Sequence, residues 1–201
     1  MHCISTTSFL SLPPCFSNIS VDTALSNFLT DHLLHREKDF MVIHKPAGLL
    51  SVPGKGDLTD SLLTRLVALE PKTLLIHRLD RDTSGILVFA LSRLGQNSIS
   101  RQFQERQTDK TYEAIVVGHL EGQGRIDIPV VYDPARPPLH MVDAECKKPA
   151  LTDWKALEHF EINGVAVTRV ELKPITGRSH QLRVHMQYLG HPIVGLSLIH
   201  I

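Results

Sequence analysis

The 201-residue chain carries no net charge, few cysteines and no long apolar run, and each absence removes a class of protein. Lysine plus arginine (21) equals aspartate plus glutamate (21), so a continuous basic coat for nucleic acid is excluded. A local basic patch is not, and the 12 histidines can add to one near neutral pH. Cys3, Cys15 and Cys146 are odd in number, far apart and without a CxxC pair. That argues against a disulfide framework or a zinc knuckle and fits a reducing compartment, so a cytoplasmic location is expected. No stretch approaches the roughly 18 to 20 apolar residues of a membrane span, and no membrane partner is expected. The N-terminus has no basic n-region, and Pro13-Pro14 interrupts its apolar stretch, which argues against a signal peptide. Its Ser and Thr content with no acid before Asp22 suits a transit peptide, but the arginines of one are missing. There is no internal repeat and no low-complexity segment.

What is present is ordinary globular composition, 42% hydrophobic and 21% charged, enough for a core without staples. Residues 1–37 read as an extension or small docking helix, with Leu25, Phe28, Leu29, His32 and Leu33 at helical spacing. From 38 onward the pattern tightens into one domain. Phe40–His44 reads as a strand, Lys45-Pro-Ala-Gly48 breaks it, and residues 49–54 form a short extended piece. Asp60 or Thr59 is placed to cap a helix carrying Leu62, Leu63, Leu66, Val67 and Leu69. Leu74–Ile76 and Ile86–Ala90 are apolar runs on either side of a polar turn. Ser92 is placed to cap a helix reaching about Arg106, and Lys110–Val117 alternates like a strand ended by Gly118. Residues 133–149, rich in proline and polar groups, read as a loop. Trp154–Phe160 and Val165–Leu172 read as a hairpin turned at Asn163-Gly164. Thr176-Gly177 opens a last helix with Leu182, Met186 and Leu189 on one stripe. Strands outnumber helices, and the turns favour antiparallel pairing. The expected class is α+β, a mixed, mostly antiparallel sheet with flanking helices.

Two segments can carry chemistry. In the turn from His77 to Gly85, Asp80 sits among Arg78, Arg81 and Asp82, and the arginines favour its ionised form. A partly desolvated carboxylate there can act as nucleophile or general base, or the cluster can be a solvated set of ion pairs. A hydrolase using Asp80 with Asp82 is a weaker reading, because the two need not converge on one bond. In the second segment, Arg178 falls in the first turn of the expected helix, where the dipole disfavours a cation. That suggests an anionic partner, or else a solvated face shared by Ser179, Arg183 and Gln187. His180 and His185 are five apart with no intervening Glu, a poor geometry for metal ligands, and no metal site is expected. No GxSxG elbow supports a serine triad. His44 and His77 end apolar runs and suit hydrogen-bonded edge positions. Lys45 can offer a cation to phosphate or be a solvated turn lysine. Tyr112, following Lys110-Thr111, can face a cleft or pack as a sheet aromatic.

Taken together, His77-Arg-Leu-Asp-Arg-Asp-Thr-Ser-Gly85, Lys110-Thr-Tyr112 and Gly177-Arg-Ser-His-Gln-Leu-Arg-Val-His185 resemble, in order and spacing, the signature segments of RluA-type pseudouridine synthases. Lys45-Pro-Ala-Gly-Leu-Leu-Ser-Val-Pro-Gly54 resembles the segment that opens their catalytic domain. The likeness runs from about Asp39 to Gly195. It implies a pseudouridine synthase catalytic-domain fold over residues 38–201 and an RNA uridine isomerase that needs no cofactor and no metal. By this resemblance Asp80 is the catalytic carboxylate, Tyr112 stacks on the uracil and moves the proton, and Arg183 pairs with Asp80. Arg78 fills the gap left by the flipped nucleotide, while His77, Arg81, Lys45, Lys110 and Arg178 are the further RNA-binding candidates. The reaction breaks the bond from uracil N1 to ribose C1′ and joins C1′ to C5. Attack on C1′, attack on C6 and glycal formation all remain open. The expected partner is a 23S-type ribosomal RNA, a transfer RNA anticodon stem-loop, or both, and the expected state is a monomer. After His191-Pro-Ile-Val-Gly195 the chain leaves the family pattern, reading Leu-Ser-Leu-Ile-His-Ile201. A C-terminal part is therefore expected to be missing, and an inactive RNA-binding remnant stands as the rival reading.

Overall fold

The computed structural model describes residues 18–195. These fall into two compact units, one up to Asn97 and one from Ser98. Of the segment read from the sequence as an extension, residues 18–37 lie in the first unit, where they form α1 and β1; residues 1–17 lie outside the described residues.

In the first unit, α1 (Asn18–His32) leads into β1 (Leu33–Arg36), β2 (Phe40–Lys45), α2 (Leu62–Leu69), β3 (Leu74–Leu75) and β4 (Gly85–Ala90). The sheet order is β1-β2-β4-β3, antiparallel throughout. Alternation on β2 does what a period of two requires: Met41, Ile43 and Lys45 are fully buried while His44 faces out. Leu87 and Phe89 of β4 join Met41 and Ile43, and α2 adds Leu62 and Leu66, four residues apart on one face. Phe28, Leu29 and Leu33 pack against the same cluster, which ties α1 and the start of β1 to it. Full burial of a side chain such as Phe89 contributes about 2 to 3 kcal/mol.

The cap of α2 is neither Thr59 nor Asp60. Ser61 accepts the Thr64 N–H at 3.2 Å, and the Thr64 hydroxyl accepts the Ser61 N–H at 2.8 Å, a complete capping box. Asp60 instead forms a bidentate pair with Arg65 at 2.8 and 2.7 Å. A carboxylate in solvent five residues before an arginine has a better partner than a helix end. α3 (Arg93–Gln104), which spans the boundary between units, starts as expected at Ser92. The Ser92 hydroxyl accepts the Gly95 N–H and donates to the Asp39 carboxylate. Gly95 is required there, because a Cβ would collide with the Asp39 carbonyl.

The second unit holds β5 (Tyr112–Val117), β6 (Gln123–Asp127), β7 (Val130–Tyr132), β8 (His140–Val142), β9 (Leu151–Ile162), β10 (Val165–Pro174) and α4 (Gln181–Tyr188). The larger sheet runs β5-β10-β9-β6, again antiparallel. Its hairpin turns at Asn163 and Gly164, both at positive φ (51° and 77°), the mirror turn that matches strand twist. Val116, Leu120, Ile126, Val170, Leu172 and Met186 form the core, with Leu182 and Leu189 of α4 packed on it. Two expectations fail here. His140–Val142, inside the presumed loop, is a strand paired with Val130–Tyr132, too short to outweigh the prolines around it. And α4 begins at Gln181, not at Thr176-Gly177, after His180 takes a left-handed conformation. Beyond α4 the chain returns to the edge of β5, where the Val117 N–H donates to the Pro192 carbonyl and the Val194 N–H to Ile115.

Candidate functional site

In the first unit the chemistry-bearing turn occupies residues 76–84, the connection from β3 to its antiparallel neighbour β4. Such a connection projects side chains at the sheet's end. Arg78, Arg81 and Asp82 are exposed, and Asp80 and His77 are half-buried. His77 Nε2 accepts the Val88 N–H at 3.0 Å, an edge histidine tied back to its own sheet.

The backbone on both sides of Asp80 is held from below. Ser51, almost fully buried, donates its hydroxyl to the Leu79 carbonyl at 2.7 Å and accepts the Leu79 N–H at 3.1 Å. The Arg81 carbonyl accepts both the Gly48 N–H at 3.0 Å and Lys45 Nζ at 2.8 Å. Arg81 returns the contact through Nε to the Gly48 carbonyl at 3.2 Å. The segment 45–51, a Pro-Gly break in sequence terms, is thus the floor of the turn.

Lys45 fits neither of its expected roles. It is fully buried, opposite Gly85 in the β2–β4 register, and its ammonium donates to the carbonyls of Pro46 (2.8 Å), Leu49 (2.7 Å) and Arg81 (2.8 Å). Three donors on three carbonyls leave none for a phosphate. Burial pulls its pKa below the ordinary lysine value, opposed by the nearby charges of Asp82 and Asp80.

In the second unit, Tyr112 opens β5 opposite Leu172 of β10, its half-buried ring packed against the core. Arg183 is half-buried on α4. Lys110 is half-buried beside Gly177, and burial, with Arg106 as a like charge, lowers its pKa. Arg178 precedes α4, so the argument from an opposed helix dipole lapses. Its exposed side chain reaches the Pro149 carbonyl at 3.3 Å. Ser179 likewise lies outside the helix and shares no face with Arg183.

A set of uncharged groups, overlooked in the sequence, fixes the start of α4. Gln181 Oε1 accepts the Thr176 hydroxyl (2.7 Å) and the Arg178 N–H (3.0 Å), and Nε2 donates to the Leu151 carbonyl (2.8 Å) and Thr152 Oγ1 (3.0 Å). All four of its hydrogen-bonding positions are used, and it is 3% exposed. His185 Nδ1 lies 2.9 Å from Thr152 Oγ1, and His185 Nε2 donates to the Ile128 carbonyl at 3.0 Å. Burial lowers the pKa of His185, which favours the neutral ring. The legible signal was a glutamine and a histidine set at i, i+4 on the buried side of an amphipathic stretch.

Among the described residues no group of three or more His, Cys, Asp or Glu gathers for a metal ion, and no helix is long and apolar enough to cross a membrane. What the first unit presents is a turn of fixed backbone with one half-buried carboxylate, Asp80, and one exposed carboxylate, Asp82, beside the exposed guanidinium groups of Arg78 and Arg81. That arrangement suits attack on, or proton removal from, an anionic polymer's reactive centre.

A family model described as RNA pseudouridylate synthase matches residues 39–188. The dual-specificity RNA pseudouridine synthase RluA of Yersinia pestis is 45% identical over 165 residues, covering 81% of this chain and 79% of that protein. The protein of that name from Escherichia coli K12 is also 45% identical over 165 residues, covering 81% and 74%. Among solved structures, human RNA pseudouridylate synthase domain containing 1 superposes with a TM-score of 0.73 at 35% identity, covering 85% of this chain and 70% of that one. Human RNA pseudouridylate synthase domain containing 4 gives 0.67 at 30% identity, covering 88% and 71%.

Proposed function

Since the chain belongs to the RNA pseudouridylate synthase family, whose members isomerise uridine in RNA, we propose that Asp80 is the carboxylate that performs this isomerisation. The observation that carries the assignment is the fixed backbone at Leu79 and Arg81, which holds a half-buried carboxylate between them. Catalysis gains from such preorganisation because the reacting group is placed before the substrate arrives. The same reading gives Tyr112 the stacking and proton-moving role and Arg183 the cation for the carboxylate. It gives Arg78 the place of the extruded base, with His77, Arg81, Lys110 and Arg178 as further RNA contacts. Lys45 drops out of that set, its donors being committed to carbonyls.

The target base must leave its stack before a side chain reaches C1′ or C6, and an aromatic face and an arginine offset that cost. The C1′–N1 bond breaks, the C1′–C5 bond forms, and the proton on C5 leaves to solvent as one enters at N1. No electron is gained or lost. The words dual-specificity in the relatives' names support more than one RNA. A 23S-type ribosomal RNA and a transfer RNA anticodon stem-loop are the proposed substrates, acted on by a monomer.

The test uses stem-loop RNA carrying tritium at C5 of its uridines. The native chain is expected to release tritium, and Asp80→Asn to lower release by at least about a thousandfold while binding RNA within threefold of native. Undiminished release by Asp80→Asn ends the assignment.

A further inference from the structure

The floor beneath Asp80 holds one residue whose placement has no role yet. Ser51 lies between Leu50 and Val52, 3% exposed. Its one oxygen meets both peptide groups of Leu79, the residue directly before Asp80, donating to the carbonyl at 2.7 Å and accepting the N–H at 3.1 Å. Its own carbonyl accepts the Leu63 N–H at 3.2 Å, next to the Leu62 N–H on the Leu50 carbonyl at 2.7 Å. Those two N–H groups belong to the first turn of α2, whose Leu62 and Leu66 are locked in the core. Ser51 therefore joins a rigid helix end to the peptide before the carboxylate.

The other side of Asp80 is held differently. The Arg81 carbonyl has two donors, the Gly48 N–H and Lys45 Nζ, so loss of either leaves a partner. On the Leu79 side a single hydroxyl serves both groups, so one substitution releases both. We propose that Ser51 is a positioning residue for the isomerisation, setting the orientation of Asp80 through Leu79 without touching RNA. This inference rests on the assignment of Asp80 as the reacting carboxylate. A hydroxyl is needed because only a group that is both donor and acceptor satisfies an N–H and a C=O at once.

Displacement of a reacting group by about 1 Å can cost on the order of a hundredfold in rate. Ser51→Ala is accordingly expected to lower kcat for tritium release about ten- to a hundredfold with KM for the stem-loop within about twofold. Ser51→Thr, which keeps the hydroxyl, is expected to recover kcat to within about threefold of native. Hydrogen exchange at the Leu79 and Asp80 amides, read by mass spectrometry on the full chain, is expected to quicken in Ser51→Ala and not in Ser51→Thr. Circular dichroism and the urea midpoint report whether each variant is folded, and rates are compared among folded fractions. The proposal is overturned if Ser51→Ala keeps native kcat, if kcat and KM change together, or if exchange at those two amides is unaltered. Asp80→Asn run alongside separates the two ideas. An active Asp80→Asn removes the assignment of Asp80 whatever Ser51 does, whereas an inactive Asp80→Asn with a fully active Ser51→Ala removes this proposal alone.

Discussion

At the scale of single residues, Lys45 marks how far burial changes what a charge can do. Its ammonium is out of water, and three carbonyls replace the lost hydration. Replacement by methionine keeps the volume but leaves carbonyls of Pro46 and Leu49 without this donor. Lys45→Met is expected to lower stability by about 2 to 4 kcal/mol, read as the urea midpoint, and to leave RNA affinity within threefold. A tenfold loss of affinity with unchanged stability would restore the phosphate contact that the sequence suggested. That suggestion had a physical basis, since a lysine before Pro-Ala-Gly reads as a turn lysine in solvent. Its ammonium is received by the carbonyls of residues 46, 49 and 81, the last of them 36 positions away. The turn that carries Asp80 was legible as a turn for the opposite reason, because residues 76–84 are a polar stretch joining two apolar strands that pair with each other. Ser51 was not, because a lone serine in Leu-Leu-Ser-Val carries no local sign of the peptide 28 residues on that it holds.

At the scale of elements, the buried polar groups joining α4 to β9 make the helix start sensitive to acid. His185 is hydrogen-bonded to Thr152 and Ile128, and its pKa is pulled below the ordinary 6.5 by burial, against the Ile128 hydrogen bond and the charge of Asp127. Above pH 6.5 both folded and unfolded chains hold it neutral, and its contribution to stability is fully present. As pH falls below 6.5 the unfolded chain takes up the proton that the folded chain refuses, so stability is lost toward the folded-state pKa. The urea midpoint is expected to drop between pH 7.5 and 5, with the His185 ring resonance titrating below 6.5 in the folded protein. A ring that titrates at or above 6.5 would contradict the neutral arrangement. Periodicity found most elements, because alternation on β2 and β10 and the Leu62–Leu66 spacing are local properties. It missed the true start of α4, which is set by a glutamine reaching back to Thr176 and Arg178. It also missed β8, whose three residues are extended only because β7 lies beside them.

At the scale of the whole molecule, a balanced charge restricts how RNA is held. With 21 cations against 21 anions, the proposed function rests RNA affinity on a few guanidinium groups, and Arg78, Arg81, Arg101, Arg106 and Arg178 are exposed. Three to five phosphate contacts give a log affinity that falls with log salt at a slope of about −2 to −4. A slope steeper than about −6, measured by filter binding across salt concentrations, would require a broader basic surface than the charge balance provides. The division of the chain near Asn97 had no sign in composition, because both units are equally apolar and no linker separates them. The outer strand β1 carries one further consequence. Its pairing with β2 shifts register between Leu33 and His35, an irregularity at the sheet's margin. A stray extended peptide needs an unbroken row of amide groups to template on, and a break in register at an outer strand disfavours such addition.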